Sequence, residues 1–144
     1  MANKILIADN EKIVRALIRK ILENEQYEVI EAVNGDEAVK SAKKENPDVI
    51  LLDVKMPVMD GVTACRKLKT DEKTKNIPIL MITAMNETKM EAIKAGVDDF
   101  INKPFDPEEV SIRVKSMLKI KNLTDGLQRI SAYGDEIAEQ RKKS

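Results

Sequence analysis

The sequence predicts an α/β fold, a parallel sheet wound with helices on both faces. Two observations predict it. Five short apolar runs alternate strictly with five stretches of helical period along the chain. The strongest of these runs are continuous rather than alternating, as strands buried on both faces require. Right-handed crossovers then leave few topologies. The 144 residues suffice for one domain with a core and a short extension.

The first run, "KILIA", is Lys4–Ala8. A helix is expected over 11–25, where Ile13, Leu17, Ile21 and Leu22 recur at helical spacing between charges. "YEVIEA" (27–32) reads as the second strand. A helix over 34–46 has Asn34 as its cap, Asp36 and Glu37 in its first turn, lysines at its end, and Pro47 as its stop. "DVILLDV" (48–54) is the strongest buried-strand signal, and after the "MPVMDG" turn a helix follows over 62–70. "IPILMIT" (77–83) is a fourth strand. The helix over 86–96 has Asn86 as N-cap and Gly96 just past its end. "DDFIN" (98–102) is a short fifth strand. The last helix, 106–121, opens with Asp106 as cap, Pro107 at the first helical position and Glu109 two residues later.

Composition excludes several function classes. Lys+Arg and Asp+Glu balance at 25 each, so bulk charge predicts no direct nucleic-acid or membrane partner. No apolar run approaches the ~20 residues that span a bilayer, and "MANKILIADN" lacks the pattern of a signal peptide. The single Cys65 precludes an intramolecular disulfide, fits a reducing compartment and reads as a core residue on a helix face. A cytoplasmic location is the expectation. There is no histidine, so any phosphohistidine must come from another molecule.

In open parallel sheets the ligand crevice lies beyond the carboxyl ends of the strands. The residues just past the first, third, fourth and fifth strands are Asp9-Asn10-Glu11, Asp53, Thr83-Ala84 and Lys103-Pro104. Each alone has an ordinary reading: a helix cap, a strand terminus, a β-branched strand residue, a solvated lysine. As a set they supply oxygen ligands for a hard cation such as Mg²⁺, a hydroxyl, a cation for phosphate and a carboxylate able to attack phosphorus.

These residues sit in motifs that resemble one family. "ILIADNE", "ILLDVKMPVMDG", "MITA" and "DDFINKPF", within about Lys4 to Leu118, are similar to the receiver domain of bacterial response regulators. The resemblance implies a flavodoxin-like (βα)5 doubly wound sheet in strand order 2-1-3-4-5. It implies that Asp53 accepts a phosphoryl group from a histidine kinase or phosphotransfer protein. Lys103 and Thr83 then contact the phosphoryl oxygens, with the small Ala84 beside them. Mg²⁺ is held by Asp9, Asn10, Asp53 and the backbone carbonyl of Lys55. Pro104 follows a cis peptide bond, and Phe100 is the switch aromatic. Lys55 and Met85 flank the phosphoryl approach, where the family tunes phosphate lifetime. The implied protein is a signalling domain rather than an enzyme.

The chain departs from the pattern at Asn10, where the family normally has an aspartate that ligates Mg²⁺ directly. An amide can ligate but carries no charge, so Mg²⁺ binding is expected to be weakened. Glu11 is expected to compensate only if the loop is displaced. A phosphorylation-impaired or pseudo-receiver interaction module is therefore the alternative reading. A phosphotransfer hydrolase has no cap domain here, and a nucleotide-binding domain has no glycine-rich loop after the first strand.

The receiver domain is expected over 1–121 and a helical extension over 122–144. In the extension, Leu123, Leu127, Ile130 and Ile137 follow a coiled-coil-like spacing with Gly134 at the skipped position. It pairs with another chain, packs back on its own domain, or is a frayed end. A homodimer is expected through this segment, through the face of the fourth helix, fifth strand and fifth helix, or through both. The room left is too small for an output domain, and the chain reads as the receiver portion of a longer regulator.

Overall fold

The computed structural model describes residues 2–84, 89–119 and 121–123. Five strands are β1 (Lys4–Ala8), β2 (Glu28–Ala32), β3 (Val49–Asp53), β4 (Ile79–Thr83) and β5 (Asp99–Asn102). Between them lie α1 (Lys12–Asn24), α2 (Gly35–Glu45), α3 (Gly61–Thr70) and α4 (Lys89–Ala95). A fifth helix, α5, covers 107–119, and 121–123 are again helical. Every pair is parallel, as the alternation of elements predicts, and the sheet order β2-β1-β3-β4-β5 is the one that the resemblance implies.

The continuous apolar strands are explained by two cores, one on each face. Leu6, Ile50, Leu52 and Met81 pack toward Ala38, Ala64, Cys65, Leu68 and Ala92. Their neighbours Ile5, Ile7, Leu51, Leu80 and Ile82 pack toward Ile18, Leu22, Val110 and Val114. Successive strand residues point to opposite faces, so a strand covered on both sides needs no polar positions. Cys65 is fully buried, and Met56 and Met59 pack against the first core.

Three local details differ from the sequence reading. In α1 the buried residues are Ile18 and Leu22, with Val14 and Ile21 packed partly against the same core. Ile13 and Leu17, expected inside, are 84% and 45% exposed. The helix carries two overlapping apolar stripes, and the sheet takes the one running through Val14, Ile18, Ile21 and Leu22. β4 begins at Ile79 rather than at 77, because Ile77 closes a turn by donating its amide to the Thr74 carbonyl. β5 begins at Asp99, since the Asp98 carboxylate is engaged with the Ile79 amide at 2.7 Å and Lys69 at 2.8 Å.

Caps behave as their chemistry dictates. Asn34 accepts from the Glu37 amide at 2.8 Å, and Asp106 accepts from the Glu108 amide at 3.0 Å. Asp60, which the sequence reading passed over, caps α3 through the Thr63 amide at 2.7 Å. Gly96 ends α4 at a φ of 96°, a conformation that favours glycine. Asn86 and Met85 lie outside the described residues, as does the extension beyond 123. Leu123 itself is exposed.

One glycine matters to the strand end that carries Asp53. A Cβ at Gly61 would run into the Asp53 carbonyl oxygen and the Val54 backbone. The Gly61 amide donates to the Val54 carbonyl at 2.8 Å, so the start of α3 is drawn against the end of β3. Among the described residues, no helix is long and apolar enough to cross a membrane.

Candidate functional site

Parallel pairing continues past the strand ends, and this assembles the site. The Asp9 amide donates to the Ala32 carbonyl at 3.1 Å, the Val54 amide to Ile82 at 3.3 Å, and the Lys103 amide to Thr83 at 2.9 Å. Asp53 is register partner to Ile82, so Thr83 stands one residue further along the neighbouring strand. The residues expected at four strand ends thus share one edge of the sheet.

The side chains converge on one ammonium. Lys103 Nζ lies 3.1 Å from Asp9 Oδ2 and 3.2 Å from Asp53 Oδ2. Both carboxylates are nearly removed from solvent, at 1% and 7% side-chain exposure, so this pairing is not screened as a surface pair would be. Burial, and then the charge of Asp9, push the Asp53 carboxyl up to about 6 against the opposing pull of Lys103. Burial disfavours the Lys103 cation, but Asp53 and Asp9 outweigh it and its pKa is raised. The result is a carboxylate held in a costly charged state, with one half-buried counter-charge shared between two acids.

The other predicted residues fall around this centre. Thr83 is buried at the end of β4 and Ala84 is exposed beside it. Pro104 follows a cis peptide bond to Lys103, as expected. Phe100 is half-buried on β5 against the core that includes Ala92 and Ala95 of α4. Asn10 and Lys55 are exposed and line an open groove of about 680 Å³ that also includes Val54, Met56 and Asp60.

Two further residues reach the site. Glu11 Oε1 stands 4.0 Å from Lys103 Nζ with no displacement of the loop. Its backbone is extended at the start of α1 and its side chain makes no capping bond, which leaves the carboxylate free to turn toward the lysine. Arg15 Nη1 donates to the Asp9 carbonyl oxygen at 2.7 Å. The sequence already places Glu11 in the acidic turn at the end of β1, but expects it to help only through a displaced loop. For Arg15 it offers no signal, because an arginine on an amphipathic helix ordinarily reads as solvated.

The donor chemistry fits a hard cation. Asp9 and Asp53 bring two carboxylates within 3.2 Å of the same lysine, and Asn10 adds an uncharged oxygen next to Asp9. Among the described residues, no group of three or more Asp, Glu, His or Cys side chains gathers into a metal-binding cluster. Charge at this centre is therefore that of two acids against one lysine, with Glu11 at the margin.

Comparisons with known proteins agree with one another. Residues 5–115 match the family described as response regulator receiver domain. The transcriptional regulatory protein ResD of Bacillus subtilis (strain 168) is 45% identical over 118 residues, which are 81% of this chain and 48% of that protein. The chain spans about half the length of the curated relatives it matches. The chemotaxis response regulator CheY4 of Vibrio cholerae is 33% identical with a TM-score of 0.78, covering 82% of this chain and 100% of that one. The receiver domain of the sensor histidine kinase PA1611 from Pseudomonas aeruginosa PAO1 is 27% identical with a TM-score of 0.78, covering 83% and 99%. That structure has a magnesium ion coordinated in its active site cleft.

Proposed function

The chain belongs to the response regulator receiver family of two-component systems, and from that premise we propose that Asp53 is its phosphoacceptor. Receiver domains are signalling domains rather than conventional enzymes. The observation that carries the proposal is the pair of buried acids Asp9 and Asp53 on the half-buried Lys103, whose Nζ lies within 3.2 Å of both. An Asp53 carboxylate oxygen attacks the phosphorus of a phosphohistidine on a histidine kinase or phosphotransfer protein. The O–P bond forms, the P–N bond breaks, and the imidazole leaves with a proton. Lys103 transfers its attention from the Asp53 charge to the phosphoryl oxygens, and Thr83 donates its hydroxyl to one of them.

The cation assignment follows the donor set. Asp9, Asp53, the Asn10 amide oxygen and the Lys55 backbone carbonyl would hold Mg²⁺, which when bound offsets charge on the transferring group. Lys55 also flanks the approach to Asp53 and tunes phosphate lifetime, a role proposed for Met85 as well.

Output is proposed to run from Thr83 to Phe100 and so to the face made by α4, β5 and α5. Phosphorylation biases a two-state element there. The receiver is assigned to 1–121 and the helical extension to 122–144, with homodimerisation through that face, the extension or both. The domain is proposed to act in the cytoplasm, where a histidine kinase or phosphotransfer protein would reach it.

The test is intact mass after incubation with acetyl phosphate and Mg²⁺. An adduct of about 80 Da mapped to the Asp53 peptide is expected. Its absence would favour the second reading, a phosphorylation-impaired interaction module, which Asn10 supports. Asn10→Asp adds a third carboxylate and is expected to tighten Mg²⁺ about tenfold in calorimetry, with faster phosphorylation. Equal affinity in the two proteins would show that position 10 does not ligate.

A further inference from the structure

We propose that Arg15 is a positioning residue for the acidic turn of this site, holding the backbone of Asp9 so that its carboxylate faces the cation and Lys103. The inference rests on the assignment of Asp9 and Asp53 made above.

Arg15 spans two elements with one guanidinium. Nη1 donates to the Asp9 carbonyl oxygen at 2.7 Å, and Nε donates to Glu31 Oε1 on β2 at 3.1 Å. The side chain is only 13% exposed, so the hold is made away from most solvent. Asp9 is then gripped on three sides. Its carbonyl meets Arg15, its Oδ1 accepts from the Glu11 amide at 2.8 Å, and its Oδ2 meets Lys103 at 3.1 Å. A planar guanidinium fork suits a two-point hold of this kind, whereas an ammonium is a single compact charge. With Asn10 uncharged, the cation set depends for its side-chain charge on Asp9 and Asp53, which makes the placement of Asp9 decisive.

The helix also supplies its own control. Arg19, one turn along α1, donates from Nε to the other oxygen of the same Glu31 at 2.9 Å and from Nη2 to the Val29 carbonyl at 3.3 Å. It also pairs with Glu23 at 3.5 Å. Both arginines therefore fasten α1 to β2 through one carboxylate, but the bond to Asp9 is made by Arg15. A purely structural role is common to the two, while a positioning role belongs to Arg15.

The experiment compares Arg15→Met, Arg15→Lys and Arg19→Met with the wild type. It reads Mg²⁺ affinity by calorimetry, exchange of the Glu11 amide by NMR in the metal-free protein, and thermal stability. Arg15→Met is expected to weaken Mg²⁺ about tenfold, as loss of a group orienting a ligand does elsewhere, and to speed exchange of the Glu11 amide. Arg15→Lys keeps the charge and the fold and is expected to move both readouts in the same direction by less. Arg19→Met is expected to lower stability while leaving Mg²⁺ affinity at the wild-type value. Wild-type Mg²⁺ affinity in both Arg15 variants overturns the inference. So does an equal loss of affinity in Arg19→Met, which would mean that loosening α1 is enough. A wild-type protein that takes neither Mg²⁺ nor a phosphoryl group overturns the proposed function itself, and is seen before any variant is compared.

Discussion

Asp53→Asn is expected to stabilise the metal-free protein at neutral pH while abolishing the phosphoryl adduct. The wild-type carboxyl titrates at about 6 in the folded chain against an ordinary 3.8, because burial and the Asp9 charge disfavour its ionised form. The folded state therefore holds this proton more tightly than the unfolded chain does. Below the ordinary value both states are protonated and Asp53 costs nothing. Between that value and about 6 the unfolded chain ionises first, and stability falls as pH rises. Above about 6 the full penalty applies, roughly 3 kcal/mol for a shift of this size. An asparagine has nearly the same shape and no charge, so it escapes the penalty. A gain of roughly 1–3 kcal/mol is expected at pH 7.5, shrinking to nothing near pH 4. Urea unfolding in EDTA across that range measures it. A variant no more stable than wild type at pH 7.5, or a gain that persists at pH 4, would rule this account out. The same substitution removes the proposed nucleophile, so acetyl phosphate should leave no adduct of about 80 Da. Function and stability are then opposed at one residue, as expected where a site keeps an uncomfortable charge for its chemistry.

The opposition explains which parts of this site were legible in the sequence. Asp9, Asp53 and Thr83 are legible because each ends or follows an apolar run, and the end of a buried parallel strand is a defined place; Lys103 follows the mixed strand "DFIN" and is legible through the motif around it. Parallel register then carried them to one edge, through the ladder bonds of Asp9, Val54 and Lys103. What remained hidden depends on side-chain torsions or on competition between equivalent choices. Ile13 and Leu17 fit a helical stripe as well as Val14 and Ile18 do, and only the position of the sheet decides between them. Glu11 is expected to compensate for Asn10 only through a displaced loop. Its extended backbone and unused carboxylate bring it to 4.0 Å from Lys103 without any change of loop. Arg15 acts through a backbone carbonyl, and a bond of that kind leaves no mark on the residue it reaches.

Lys103→Met should be the most damaging single change to the site, and its damage should depend on pH. Among the described residues the lysine is the cation within 3.2 Å of two nearly buried carboxylates, and its own pKa is raised by them. The lysine therefore stays charged throughout the neutral range, and its own deprotonation removes its contribution only in strong alkali, as pH rises through its folded value. Removing it leaves Asp9 and Asp53 buried side by side without their shared counter-charge, although Asp9 keeps its bond from the Glu11 amide. Breaking a buried pair in this way costs about 3–5 kcal/mol, and that loss is expected at pH 8. Acid relieves it. Without the lysine Asp53 holds its proton more tightly still, so protonation sets in earlier as pH falls and replaces a repulsion with a neutral carboxyl. The difference between variant and wild type should therefore narrow steadily from pH 8 to pH 5, which urea titrations at each pH would follow. A difference that is constant or widens over that range would mean that the methionine packs badly, and that the charges are not the cause. Lys103→Arg separates charge from position. It keeps a cation near both acids and is expected to recover most of the stability. Its planar fork does not reproduce the point charge that a phosphoryl oxygen meets, so phosphorylation should stay slow. A variant as fast as wild type would show that the lysine contributes only its charge.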